Sequence, residues 1–303
     1  SIDDVNLVYS VNDVIRAGAG QDYLSGGDGN DVLDAGSGDD LVAAGAGNDF
    51  LLGGDGQDSL DGGDGDDRLI GGNGDDLFRG GAGNDVQDGG NPQGFGSGND
   101  TYLFGRGDGH DAIDDYDPTP GNLDAIVFDA DIAPGDVQLS RFEDGIRLTI
   151  ADTGDTLDVR NYLYNDYPYG QIEQIRFADG TIWDVPTVKA LLLQGTPGHD
   201  TIIGYSSNDT VDGLAGNDTI YGAGGEDILV GGTGSDSLYG DEGDDRFFGG
   251  DGSDLLAGGN GADILDGGAG NDRLVGGHTW SNIYNPVSNG NDTYVFGRGQ
   301  GTD

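Results

Sequence analysis

Gly26-Gly27-Asp28-Gly29-Asn30-Asp31-Val32-Leu33-Asp34 reads Gly-Gly-x-Gly-x-Asp-x-U-x, where U is a large apolar residue. The phrase recurs every nine residues. Frames begin at 8, 17, 26, 35, 44, 53, 62, 71 and 80, and again at 195, 204, 213, 222, 231, 240, 249, 258 and 267. The sixth position is Asp in all eighteen copies, and the eighth is large and apolar in all but one, where Gln87 stands. The fourth is Gly except at Val11 and Ser207. A phase held this long marks a solenoid whose repeats bury a core only by stacking. A Gly/Asp-rich disordered linker keeps no such phase. The nine-residue spacing also excludes a twelve-residue EF-hand loop and the three-residue collagen period.

Each phrase divides into a six-residue turn and a three-residue strand. Glycine lets the turn take positive φ and bring backbones close. Position eight points away from its neighbours, into a core. Two phrases make an eighteen-residue coil with strands on opposite faces, and coils stack at about 4.8 Å. Turns two repeats apart then share an edge. Asp13, Asp31, Asp49, Asp67 and Asp85 stand on one edge of the first array, and Asp22, Asp40, Asp58 and Asp76 on the other. The second array places Asp200, Asp218, Asp236, Asp254 and Asp272 against Asp209, Asp227, Asp245 and Asp263. Hard carboxylate and carbonyl oxygens in this arrangement suit calcium, at roughly fourteen inter-turn sites. The weakest involve Asp13, Asp200 and Asp209, whose turns lack glycines of the consensus.

Composition agrees. Of 303 residues, 57 are acidic and 12 basic, a formal charge of -45, and only 34% are hydrophobic. Such a chain does not fold by burial alone. About fourteen divalent ions would cancel about 28 charges, so folding conditional on calcium is expected. The charge excludes nucleic acid and anionic lipid as direct partners. There is no cysteine, hence no disulfide. No apolar run reaches transmembrane length, and no direct membrane insertion is expected. Weak calcium sites belong outside the cell, where calcium is millimolar.

Val8–Arg16 reads as a terminal capping repeat. After the interruption Gly89–Gly94, Phe95–Leu103 resumes the pattern with Asp100 at position six; after Gly276–Pro286, a tenth repeat, Val287–Val295, offers Asp292. Gln87 is read as the frayed end of the first roll. Residues 104–194 change character. Leu123–Phe128, Val137–Arg141, Gly145–Ile150, Thr156–Tyr162, Gln171–Phe177 and Thr181–Val185 alternate as strands, with tight turns at Asp144-Gly145 and Asp179-Gly180. Thr187–Leu193 fits one helical turn or a last strand. The expected division is an array over 1–103, a β domain over 104–194, an array over 195–295, and the start of another β domain at 296–303. Asn291–Asp303 matches Asn99–Asp111 at ten of thirteen positions. The chain therefore reads as a piece of a longer, modular protein.

The arrays resemble the RTX repeats of type I-secreted bacterial proteins. Asn99–Gly109 with residues 112–185 is similar to the haemolysin-type calcium-binding related domain. The resemblance implies an all-β fold of two calcium-loaded parallel β-rolls separated by a small β domain. It also implies export through a type I channel and folding outside the cell. A structural role follows as an expectation: adhesin stalk, surface layer or self-assembling filament, with association between copies. The alternative is the secretion and folding region of a larger toxin or exoenzyme. Asp108, Asp111, Asp114, Asp115 and Asp117 form either one further calcium site or a solvated acidic turn. Tyr162, Tyr164, Tyr167 and Tyr169 form either a binding surface or core. His110, His199 and His278 lack catalytic partners, and no nucleophile elbow, zinc motif or phosphate loop occurs, so no catalytic residue is assigned.

Overall fold

The computed structural model describes residues 5–90, 97–115, 121–162, 172–277 and 290–295. Tyr164, Tyr167, Tyr169, Asp117 and His278 lie outside them. Two compact units divide between Thr187 and Val188.

The first unit is a parallel solenoid whose alternate strands belong to two nine-stranded sheets. Phe50–Asp55 lies between Val32–Ser37 and Arg68–Asn73, in parallel register with Leu51 opposite Leu33 and Leu69. Every strand in this stretch is shifted eighteen residues from its neighbour, the coil length anticipated from the repeat. Position eight fills the interior: Leu24, Leu33, Val42, Leu51, Leu69 and Phe78 have no exposed surface. The second unit has two five-stranded sheets of the same kind, with Leu229, Leu238, Phe247, Leu256 and Leu265 inside.

The regular strands are six residues long, as in Ser59–Asp64, rather than three. Ladder pairing passes through the glycines to the next corner, as in Gly45 opposite Gly63. This requires close backbone approach. Gly47 adopts φ 137°, and a β-carbon there would collide with the Gly29 carbonyl. Three-residue strands occur where the second array begins, at Thr201–Ile203, Thr210–Asp212 and Thr219–Tyr221, and at array ends such as Val86–Asp88 and Arg273–Val275.

Residues beyond 103 extend the same two sheets. Thr101–Phe104 pairs with Ala125–Phe128, which pairs in turn with Gln174–Arg176. Val86–Asp88 pairs with His110–Ile113, followed by Thr156–Val159. Gln87 is therefore interior, 1% exposed between Leu69 and Ile113, and no frayed end exists there. The aromatic core is continuous as well: Phe78 stacks on Tyr102 at 4.9 Å, and Phe128 on Phe177 at 5.1 Å. Tyr162 is fully buried, a core residue and not a surface one.

Val137–Phe142 and Gly145–Ile150 form an antiparallel hairpin. Its two-residue turn is Glu143-Asp144, one position before the expected pair, with Glu143 at positive φ. The turn before Ile182–Asp184 does use Gly180, at φ 89°. Val185–Leu192 is an α-helix. Among the described residues, no helix is long and apolar enough to cross a membrane.

Candidate metal centres

Each turn delivers its position-six Asp to the turn one coil earlier. The Asp31 N–H donates to Asp49 Oδ1 at 2.7 Å, and the Asp49 N–H to Asp67 Oδ1 at 2.7 Å. The first edge runs Asp13, Asp31, Asp49, Asp67, Asp85 through these bonds. The second runs Asp22, Asp40, Asp58, Asp76, Asp100. In the second unit the rows are Asp200, Asp218, Asp236, Asp254, Asp272 and Asp209, Asp227, Asp245, Asp263, Asp292. The expected pairing of carboxylates along two edges is thus laid out in both units.

The other carboxylate oxygen distinguishes these rows from ordinary turn chemistry. Oδ2 of Asp31, Asp40, Asp49, Asp58, Asp67 and Asp76 is buried with no hydrogen-bond partner, as is Oδ2 of Asp218, Asp227, Asp236, Asp245, Asp254 and Asp263. A buried, unpaired ionised oxygen is costly unless a cation meets it. Position one provides the space. A β-carbon on Gly53 would lie 2.5 Å from Asp58 Oδ2 and 2.7 Å from the Gly71 carbonyl oxygen. Gly231 repeats this with Asp236 Oδ2 at 2.5 Å and the Gly249 oxygen at 2.6 Å. The glycine hydrogen leaves a cradle between a carboxylate and a backbone carbonyl, both hard oxygen donors of the kind calcium takes.

Electrostatics point the same way. Burial raises Asp58 to about 6, Asp67 to about 7 and Asp76 to about 8; backbone N–H bonds partly offset this, and neighbouring carboxylates add to it. Burial also raises Asp227 to about 7 and Asp245 and Asp254 to about 6. Without cations these rows hold protons more tightly than a solvated carboxylate does.

The degenerate turns differ. Asp200 Oδ2 accepts from the Thr196 N–H at 2.6 Å, and Asp209 Oδ2 from the Tyr205 N–H at 2.5 Å. Both carboxylates are thereby drawn into their own turns.

Of the five acidic residues after the first array, the four described ones do not converge on one site. Asp111 joins the first edge and accepts from the Asp85 N–H at 3.0 Å. Asp108 accepts from the Gly105 N–H, and exposed Asp114 pairs with Arg160 at 3.3 Å. Asp115 joins the second edge: one oxygen each of Asp100, Asp115 and Asp124 lies within 4.8 Å of the others, and all three residues are buried. The Tyr102 hydroxyl donates to Asp115 Oδ2 at 2.9 Å. Burial, then the Asp115 charge, raises Asp100 to about 9. The separation follows from chain geometry, because Asp111 lies at the start of the strand His110–Ile113 while Asp115 lies two residues beyond its end.

Two features escaped the sequence reading. The second edge continues, with the Asp100 N–H donating to Asp124 Oδ1 and the Asp124 N–H to Glu173 Oε2. Its trace in sequence is the surviving acid-x-U half-phrase, Asp124-Ala125-Ile126 and Glu173-Gln174-Ile175, without glycines. An outer ladder also runs through position five, where the Asn48 N–H donates to Asn30 Oδ1 and the Asp66 N–H to Asn48 Oδ1. The recurrent Asn-Asp pair was the available signal. His199 holds such a position, its Nδ1 accepting from the Asn217 N–H at 2.6 Å, while His110 Nδ1 lies 3.0 Å from Thr156 Oγ1.

A parallel β-solenoid with carboxylate-and-carbonyl cradles along its turns defines a calcium-binding repeat protein. The profile of the RTX calcium-binding nonapeptide repeat matches residues 10–42, 34–69, 61–91, 192–220, 221–256 and 248–277, more than half the chain. The chain belongs to that family. Residues 146–187 match the haemolysin-type calcium binding protein related domain. Over 103 residues the chain is 37% identical to the iron-regulated protein FrpA of Neisseria meningitidis serogroup C, which is 34% of this chain and 9% of that protein.

Proposed function

We propose that this chain is a calcium-triggered folding module of an exported bacterial protein, with a structural role outside the cell or at its surface. The row of buried, unpartnered Asp Oδ2 atoms supports this reading best. In calcium-poor cytosol, carboxylates stacked one coil apart repel and hold the chain open for export. Outside, the position-six Asp rows and the facing carbonyls would hold calcium, which supplies the positive charge that closes the roll. Stacked coils that contact only their neighbours give a stiff spacer, suited to a stalk, surface layer or filament, with copies associating through repeated modules. No catalytic role is proposed for this segment.

The second reading, the folding and secretion region of a larger toxin or exoenzyme, draws on the match to a relative of which this chain spans 9%. Far-ultraviolet circular dichroism with light scattering during a calcium titration, with magnesium as control, tests both. A cooperative coil-to-β transition in calcium is expected, with particle growth under the structural role and a monomer under the alternative. A chain fully folded in chelator and indifferent to calcium overturns the trigger.

A further inference from the structure

We propose that the calcium ladder runs one turn beyond the repeat array, with a calcium-class cation held between the turn at 80–85 and the turn at 106–111 by Asp85 and Asp111. The proposal rests on the reading that the array's own turns bind calcium.

Arg106-Gly107-Asp108-Gly109-His110-Asp111-Ala112-Ile113-Asp114 is a concealed copy of the nonapeptide, with arginine in place of the first glycine. It lies outside every matched repeat. The fold nevertheless sets it in register with the copy that begins at Gly80. Gly83 bridges to Gly109, and Gln87 stands opposite Ile113, which is fully buried in the position-eight place. The turn bonds are those of the array: the Gly83 N–H donates to the Asp108 oxygen at 2.9 Å, as the Gly65 N–H does to the Ala82 oxygen at 2.7 Å. Gly107 and Gly109 adopt φ 91° and 97°, the left-handed region used by Gly81 and Gly83.

The carboxylates repeat the pattern too. Asp85 and Asp111 are 1% and 2% exposed, and Oδ2 of each is buried without a hydrogen-bond partner. A β-carbon on Gly80 would lie 2.5 Å from Asp85 Oδ2, the carboxylate side of the cradle found at the other turns. Arginine at position one does not neutralise the pair. Its guanidinium turns to Asp131, Asp152 and Asp136 at 2.9, 3.1 and 3.5 Å. The nearby Arg79 goes to Asp129 at 2.9 Å and reaches Asp108 at 4.0 Å. Two buried oxygens aimed between stacked turns call for a hard divalent cation.

The test is the anomalous difference map of crystals of the full chain grown in calcium. The expected result is a peak between the Asp85 and Asp111 turns in addition to peaks between array turns such as Asp49 and Asp67. Array peaks without the 85–111 peak overturn this proposal alone; no peak at any turn overturns the calcium reading beneath it. In parallel, elemental analysis of the gel-filtered full chain counts ions in D111N, which keeps Oδ1 for the Asp85 N–H, and in D114N at the exposed partner of Arg160. D111N is expected to carry one ion fewer than the parent and D114N the same number. Equal counts in D111N overturn the site, and if D111N does not regain sheet in calcium the parent map decides alone.

Discussion

At Asp58 one carboxylate oxygen accepts the Asp40 N–H and the other, buried, accepts none. Asparagine there would keep the bond and remove the charge that calls for a cation. D58N is therefore expected to weaken calcium binding at the two turns sharing Asp58, seen as a higher calcium midpoint by circular dichroism; an unchanged midpoint contradicts the assignment. The neighbouring glycine matters for its missing atom. In G53A the methyl would sit against Asp58 Oδ2 and the Gly71 carbonyl, and overpacking of this kind costs about 2 kcal/mol. The calcium-loaded melting temperature should fall accordingly. The opposite sign is expected at Ala223, held at φ 74° where most copies carry glycine. A223G relieves left-handed strain and should stabilise the loaded second unit by about 1 kcal/mol, read by thermal melting.

At the scale of a turn row, the raised carboxylates give a pH dependence whose sign is fixed. Asp58, Asp67, Asp76 and Asp85 have folded values of about 6, 7, 8 and 6, above the ordinary carboxylate range. The ion-free roll therefore binds more protons than the coil. Its stability is fully present below about pH 4 and is lost as pH rises towards 8. In chelator, sheet content should grow as pH falls through that window. With calcium, ions displace those protons, so the calcium midpoint should drop between pH 6 and pH 8. A midpoint independent of pH argues that these carboxylates are not the ligands.

For the molecule as a whole, one sheet of the first unit runs unbroken from the array to Ile182–Asp184 and the other to Val137–Phe142. Stacked coils of this type fold by nearest-neighbour coupling. Calcium should thus order residues beyond 103 together with the array. Hydrogen exchange during a calcium titration should show Ile126, Ile146 and Leu157 gaining protection at the same calcium concentration as Leu51. Protection of the former in chelator, with Leu51 still exchanging, would make the segment an independent domain.

The amino-acid sequence by itself determined the coil, because an eighteen-residue period with one Asp and one apolar residue per half-turn admits a single way to bury the apolar row. It also determined the edge of each Asp and the hard-oxygen chemistry of the turns. Tertiary structure alone decided what happens where the glycines give out. Asp111, Asp124 and Glu173 enter the carboxylate rows because sheet register carries them there, and register is a property of neighbouring strands rather than of the nine residues around each acid. Gln87 looks like a defect in one dimension and is an interior residue in three, since Val86–Asp88 is paired on both sides. The sixth-position oxygens follow the same rule: sequence places an acid in every turn, but only stacking leaves one of its two oxygens buried and without a donor.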